Sequence, residues 1–140
     1  MPRPLIMVID DDAAVRSALT DLLEEEGYRV VAIADGRNGL HHLSRHESPQ
    51  LILLDLLMPA ADGWQFRAEQ LMNPALASIP VIVVTALPAS DATRALGLEV
   101  VSKPFDTRRL LSLVQRHCAD SLPEPVRDEA GAAALARTAS

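Results

Sequence analysis

Several polar residues in this chain stand where apolar runs end. Asp55 closes the run Leu51-Ile52-Leu53-Leu54, Asp10-Asp11-Asp12 follows Leu5–Ile9, Thr85 closes Val81–Val84, and Lys103 follows Glu99–Ser102. A continuous aliphatic run bounded by turn residues reads as a parallel strand covered on both faces. Ligands of open α/β sheets bind beyond the carboxyl ends of such strands. The spacing therefore predicts one sheet edge carrying carboxylates, a hydroxyl and an ammonium. Clustered carboxylates make a site for a hard divalent cation. Helix capping needs only one residue of the acidic triplet, and Asp12 fits it. Asp10 and Asp11 are then left as direct or water-mediated metal ligands. A calcium EF-hand loop is a poor match, because the sixth position counted from Asp10 is Val15 rather than Gly; magnesium suits the site better.

The elements that must position these residues alternate along the chain. After the strand Leu5–Ile9, apolar residues at Val15, Ala18, Leu19, Leu22 and Leu23 have helical spacing, and Gly27 stops the helix. A strand over 29–34 precedes a helix over 36–45, and the strand Leu51–Leu54 precedes a helix over 63–73. A fourth strand over 81–84 precedes a short helix over 91–96. A fifth, 99–102, precedes a helix over 106–117. Five such units imply right-handed crossovers and helices on both faces of the sheet.

The composition agrees with one soluble domain. The 140 residues are 49% hydrophobic and 23% charged, enough for a single proper core. A net charge of −6 and a pI of about 5.1 argue against generic nucleic-acid binding, which uses basic surfaces. The single Cys118 excludes an intrachain disulfide, and Met1-Pro2-Arg3-Pro4 lacks a signal-peptide pattern. A cytoplasmic chain is expected. No apolar stretch approaches the roughly 20 residues that span a bilayer. The domain is expected over residues 1–118. Residues 119–140, rich in Ala and Pro, read as a disordered tail, with a docking helix over 128–138 as the alternative.

With these motifs in order, the chain resembles the receiver domains of two-component response regulators over about residues 5–118. The resemblance rests on Asp10-Asp11, on Asp55 with Met58-Pro59 and Gly63, on Thr85-Ala86, and on Lys103-Pro104-Phe105. It implies a flavodoxin-like (βα)5 fold with strand order 2-1-3-4-5. It also implies that Asp55 is the phosphoacceptor for a sensor histidine kinase or histidine phosphotransfer protein. Asp10, Asp11, Asp55 and the backbone carbonyl of Leu57 would hold magnesium, Thr85 would bond a phosphoryl oxygen, and Lys103 would pair with the aspartyl phosphate. Phosphoryl transfer depends on positioning and charge neutralisation, so these roles are chemically coherent. The expectation is a stand-alone receiver, monomeric or weakly dimeric, that catalyses only its own phosphorylation and dephosphorylation and signals to a downstream protein. The alternative is a phosphorylation-independent binding module.

Three positions depart from the family pattern. Val100 stands three residues before Lys103, where many receivers carry an aromatic that moves with the Thr. The interval from Thr85 to Lys103 is short, which trims the fourth helix. Leu57 and Leu87, two residues after Asp55 and Thr85, cannot orient water, which predicts a long-lived phosphoryl group. Two rival classes fit less well. A haloacid-dehalogenase-type phosphatase would need an Asp where Leu57 stands, and a nucleotide or flavin binder would need a glycine-rich loop after the first strand. His41, His42, His46 and His117 read as solvated, Trp64 as a packing residue, Arg108 and Arg109 as a charged helix face, and Cys118 as a structural or exposed thiol.

Overall fold

A computed structural model describes residues 3–59, 62–87 and 98–118. The strands are β1 (Leu5–Ile9), β2 (Arg29–Ile33), β3 (Leu51–Leu54), β4 (Val81–Thr85) and β5 (Glu99–Ser102), all parallel, in the order β2-β1-β3-β4-β5. The helices among these residues are α1 (Ala13–Glu25), α2 (Gly36–Arg45), α3 (Asp62–Met72) and α4 (Thr107–Cys118). The expected fold class and strand order are as observed. Bounds differ from expectation by one residue at the end of β2, at the end of β4 and at both ends of α3 and α4. The short helix expected over 91–96 and the tail over 119–140 lie outside the described residues.

Strand alternation divides the apolar residues into two cores. Ile6, Val8, Leu51, Leu53, Ile82 and Val84 face one side, packed with Leu19 and Leu23 of α1 and Leu110, Leu113 and Val114 of α4. Met7, Ile9, Ile52, Leu54, Val81 and Val83 face the other, with Leu43 of α2 and Phe66 of α3. Cys118 is fully buried in the first core, and burial pushes its thiol up to about 11, so it is an inert packing residue. Trp64 packs against the second core, as expected.

The helix ends have local causes. Asp12 caps α1, its carboxylate accepting from the amides of Ala14 at 2.9 Å and Val15 at 3.3 Å. Past its other end, Gly27 takes a positive φ of 95°. Asp106 does not begin α4; its carboxylate accepts from the amides of Arg108 and Arg109 and so caps it. Buried Gln70 of α3 donates to the carbonyls of Leu76 and Ile79, both at 3.0 Å, and holds the turn that leads to β4.

Gly63 and Gly39 make close approaches of different kinds. A Cβ on Gly63 would lie 2.2 Å from the Asp55 carbonyl oxygen and 2.7 Å from the Leu56 Cα, so α3 rests on the backbone beside Asp55. A Cβ on Gly39 would meet the Ile9 Cδ1 at 2.8 Å, the end of a side chain that can rotate. Gly63→Ala is expected to cost about 3 kcal/mol or more through backbone displacement, and Gly39→Ala less, about 1 kcal/mol. Urea unfolding of the two variants checks the ranking; equal losses would contradict it.

Candidate functional site

The site is built from first residues beyond strands. Asp10, Asp55 and Lys103 each follow the last residue of a strand, and each amide still makes one more ladder bond. Asp10 donates to Ile33 at 3.1 Å, Asp55 to Ile9 at 3.0 Å and Lys103 to Thr85 at 2.9 Å. The sheet thus fixes their backbones while their side chains leave the cores. Thr85 is the final residue of β4, fully buried, and pairs in register with Ser102.

Side-chain geometry follows from this placement. One carboxylate oxygen from each of Asp10, Asp11 and Asp55 lies within 4.8 Å of the others, with Asp10 and Asp55 buried and Asp11 exposed. The Lys103 Nζ reaches Asp10 Oδ2 at 2.5 Å and Asp55 Oδ2 at 3.2 Å. The second oxygens are held locally: Asp12 N donates to Asp10 Oδ1 and Leu57 N to Asp55 Oδ1, both at 2.9 Å. The Thr85 hydroxyl accepts from the Leu87 amide at 3.3 Å. The peptide bond from Lys103 to Pro104 is cis; prolyl bonds admit this isomer readily, and sequence does not display it.

The electrostatics are those of a crowded acidic corner. Burial raises the Asp10 carboxyl above its ordinary range, and the bonds from Lys103 and the Asp12 amide only partly offset this. Burial would lower the Lys103 ammonium, but Asp10 and then Asp55 more than reverse that and hold it above its usual value. Lys103 is therefore not the solvated surface lysine that would be the default at a strand end. An all-oxygen donor set of three converging carboxylates fits a hard cation such as Mg2+.

The sequence-derived residues Asp10, Asp11, Asp55 and Lys103 are thus brought together, and Thr85 is on the same edge. Two connections were not read from sequence. Arg16 of α1 donates to the Asp10 carbonyl at 2.8 Å. Asp62, at the start of α3, accepts from the Gly36 amide at the start of α2, which ties the loop after Asp55 to the loop after β2. Both are side-chain bonds to backbone across turns, which leave no periodic signal. Beside them a groove of about 410 Å3 is lined by Asp11, Asp35, Arg37, Met58, Pro59 and Asp62, among others. His42 and His46 are stacked, with ring centroids 4.0 Å apart.

A five-stranded parallel sheet with carboxylates and a lysine at its carboxyl edge defines a flavodoxin-like domain with an acidic edge. Within that class, residues 6–115 match the response regulator receiver domain, and the chain belongs to that family. It is 35% identical over 127 residues to the response regulator protein FleR of Pseudomonas aeruginosa, covering 88% of this chain and 26% of that one. It is 32% identical over 124 residues to the alkaline phosphatase synthesis transcriptional regulatory protein SphR of Synechococcus elongatus, covering 79% of this chain and 47% of that one. The chain thus spans less than half the length of these curated relatives. Its fold is similar to that of the Mn2+-bound form of response regulator Rcp1, with a TM-score of 0.68 and 25% identity over 88% of this chain and 99% of that one. Among the described residues, no helix is long and apolar enough to cross a membrane.

The raised Asp10 carboxyl has a signed consequence for stability. A carboxyl with a pKa raised by folding favours the folded state below its unfolded pKa, and that stability is lost as pH rises through the folded pKa. Without metal, Asp10→Asn is therefore expected to melt a few degrees above the wild type at neutral pH, with the gap closing as pH falls. A series of melting curves against pH checks this; a gap independent of pH would contradict it.

Proposed function

We propose that this chain is a magnesium-dependent phosphoacceptor of a two-component pathway. A carboxylate oxygen of Asp55 attacks the phosphorus of a phosphohistidine on a sensor histidine kinase or histidine phosphotransfer protein. The P–O bond forms as the P–N bond breaks, and the imidazole leaves with the electron pair and takes up a proton. The observation that carries this reading is the convergence of Asp10, Asp11 and Asp55 within 4.8 Å, with Lys103 against two of them.

The roles divide by chemistry. Asp10, Asp11, Asp55 and the Leu57 carbonyl would hold magnesium, which supplies positive charge opposite the phosphoryl oxygens. Lys103, already shared between Asp10 and Asp55, can pair with an incoming phosphoryl oxygen without leaving the site. Among the described residues the Thr85 hydroxyl accepts a 3.3 Å bond from the Leu87 amide, and in this reading its own proton goes to a phosphoryl oxygen. Its movement would couple the chemistry to the loop after β4, a local charge event read out through packing. Val100, half-buried in the second core, offers no ring to follow it.

Output in this reading passes through contact with a downstream protein, and the charge of −6 disfavours direct contact with nucleic acid. We place the reaction in the cytoplasm and take the domain to be a monomer or weak homodimer. That the similar fold of response regulator Rcp1 occurs in a Mn2+-bound form supports the divalent-cation part of this reading.

Intact-mass spectrometry after incubation with magnesium and a small phosphodonor tests the core of the proposal. One added phosphoryl group, lost with chelator and in Asp55→Asn, is expected. No addition even from a phosphorylated kinase would favour a phosphorylation-independent binding module. The phosphoryl group should also persist, since Leu57 stands 53% exposed at the mouth and cannot orient water. Decay over minutes or longer is expected, shortened severalfold in Leu57→Asn; a wild-type half-life of seconds would refute this.

A further inference from the structure

We propose that Arg16 is a positioning residue for the cation site: it holds the Asp10 carbonyl and thereby fixes the turn from which Asp10 and Asp11 present their carboxylates. This rests on the magnesium-dependent reading above. The Asp10 amide is spent on the Ile33 carbonyl, Oδ1 on the Asp12 amide and Oδ2 on Lys103. The carbonyl remains, and Arg16 Nη1 takes it at 2.8 Å from the first turn of α1. The amide of Arg16 is itself bonded to the Asp12 carbonyl at 3.0 Å, so the reach starts from a capped, fixed helix end.

The peptide unit explains why this one bond matters. The Asp10 carbonyl and the Asp11 amide share a rigid plane, so fixing the carbonyl direction fixes the backbone that carries Asp11. Asp10 is buried and also held through its side chain, whereas Asp11 is exposed. Asp11 therefore depends more than Asp10 on this peptide to keep its oxygen within the cluster. Outer partners that orient metal ligands typically contribute 10–100-fold to affinity.

Arg16 is also a cation near the acidic site, and the two roles predict opposite signs. As a charge alone it repels magnesium, so its removal would tighten binding. As a positioning residue its removal loosens binding. Calorimetric titration of magnesium into metal-free full-length protein distinguishes them. Arg16→Met, which keeps length and loses both charge and donors, is expected to bind about tenfold more weakly. Arg16→Lys, which keeps a donor, should recover most of that loss. Melting in chelator should leave Arg16→Met within a few degrees of the wild type, which separates positioning from folding.

Equal or tighter binding by folded Arg16→Met would overturn the proposal. Should that variant not fold, Arg16→Gln carries the same test, with weaker binding expected and equal or tighter binding overturning it. A wild type that takes up no magnesium, matching the Asp10→Asn control, would instead overturn the cation reading itself, and the role of Arg16 with it.

Discussion

Two carboxylates cannot be buried side by side, with a third at their rim, unless positive charge comes with them. Coulomb repulsion there is little screened, and burial separately penalises each ionised oxygen. The structure meets this constraint with Lys103, whose ammonium lies against Asp10 and Asp55 at once. The rest of the edge follows from it. Asp10 and Asp55 each turn one oxygen toward the lysine and keep the other on a backbone amide, that of Asp12 for Asp10 and of Leu57 for Asp55. A hard cation held by the converging carboxylates would relieve the repulsion that one ammonium leaves.

The sheet makes that convergence repeatable. Because Asp10, Asp55 and Lys103 each keep one ladder bond beyond their strand, their positions are set by strand register rather than by loop packing. A one-residue slip would exchange Ile6 and Val8 with Met7 and Ile9 between two apolar cores, so it is close packing of differently shaped side chains on both faces that resists it. Helix α3 adds a second constraint from below the loop, where Gly63 allows its backbone to rest against Asp55.

Much of this was legible in the residues. Runs such as Leu51–Leu54, bounded by turn formers, announce buried parallel strands, and a polar residue after each one places the edge. Asp12 was readable as a cap because the apolar spacing begins just beyond it. Cys118 was left as either structural or exposed, although Leu110, Val114 and Cys118 recur every four residues along one helical stripe and so had a signal of burial. What could not be read were bonds between a side chain and distant backbone: Arg16 to Asp10, Asp62 to Gly36, and Gln70 to Leu76 and Ile79. These depend on how turns are oriented in space, and hydrophobic pattern carries no such information. The isomer of the Lys103–Pro104 bond was invisible for the same reason.

The contact between Lys103 and Asp10 joins residues 93 positions apart. During synthesis, β1 and β3 are complete long before β5 leaves the ribosome, and until then the acidic residues have no ammonium among them. β1 and β3 pairing without β5 would hold carboxylates that repel one another with no ammonium between them. The charge balance of this edge is therefore settled only when β5 joins the sheet, so the pair that neutralises the site also ties its two most distant strands in the chain together.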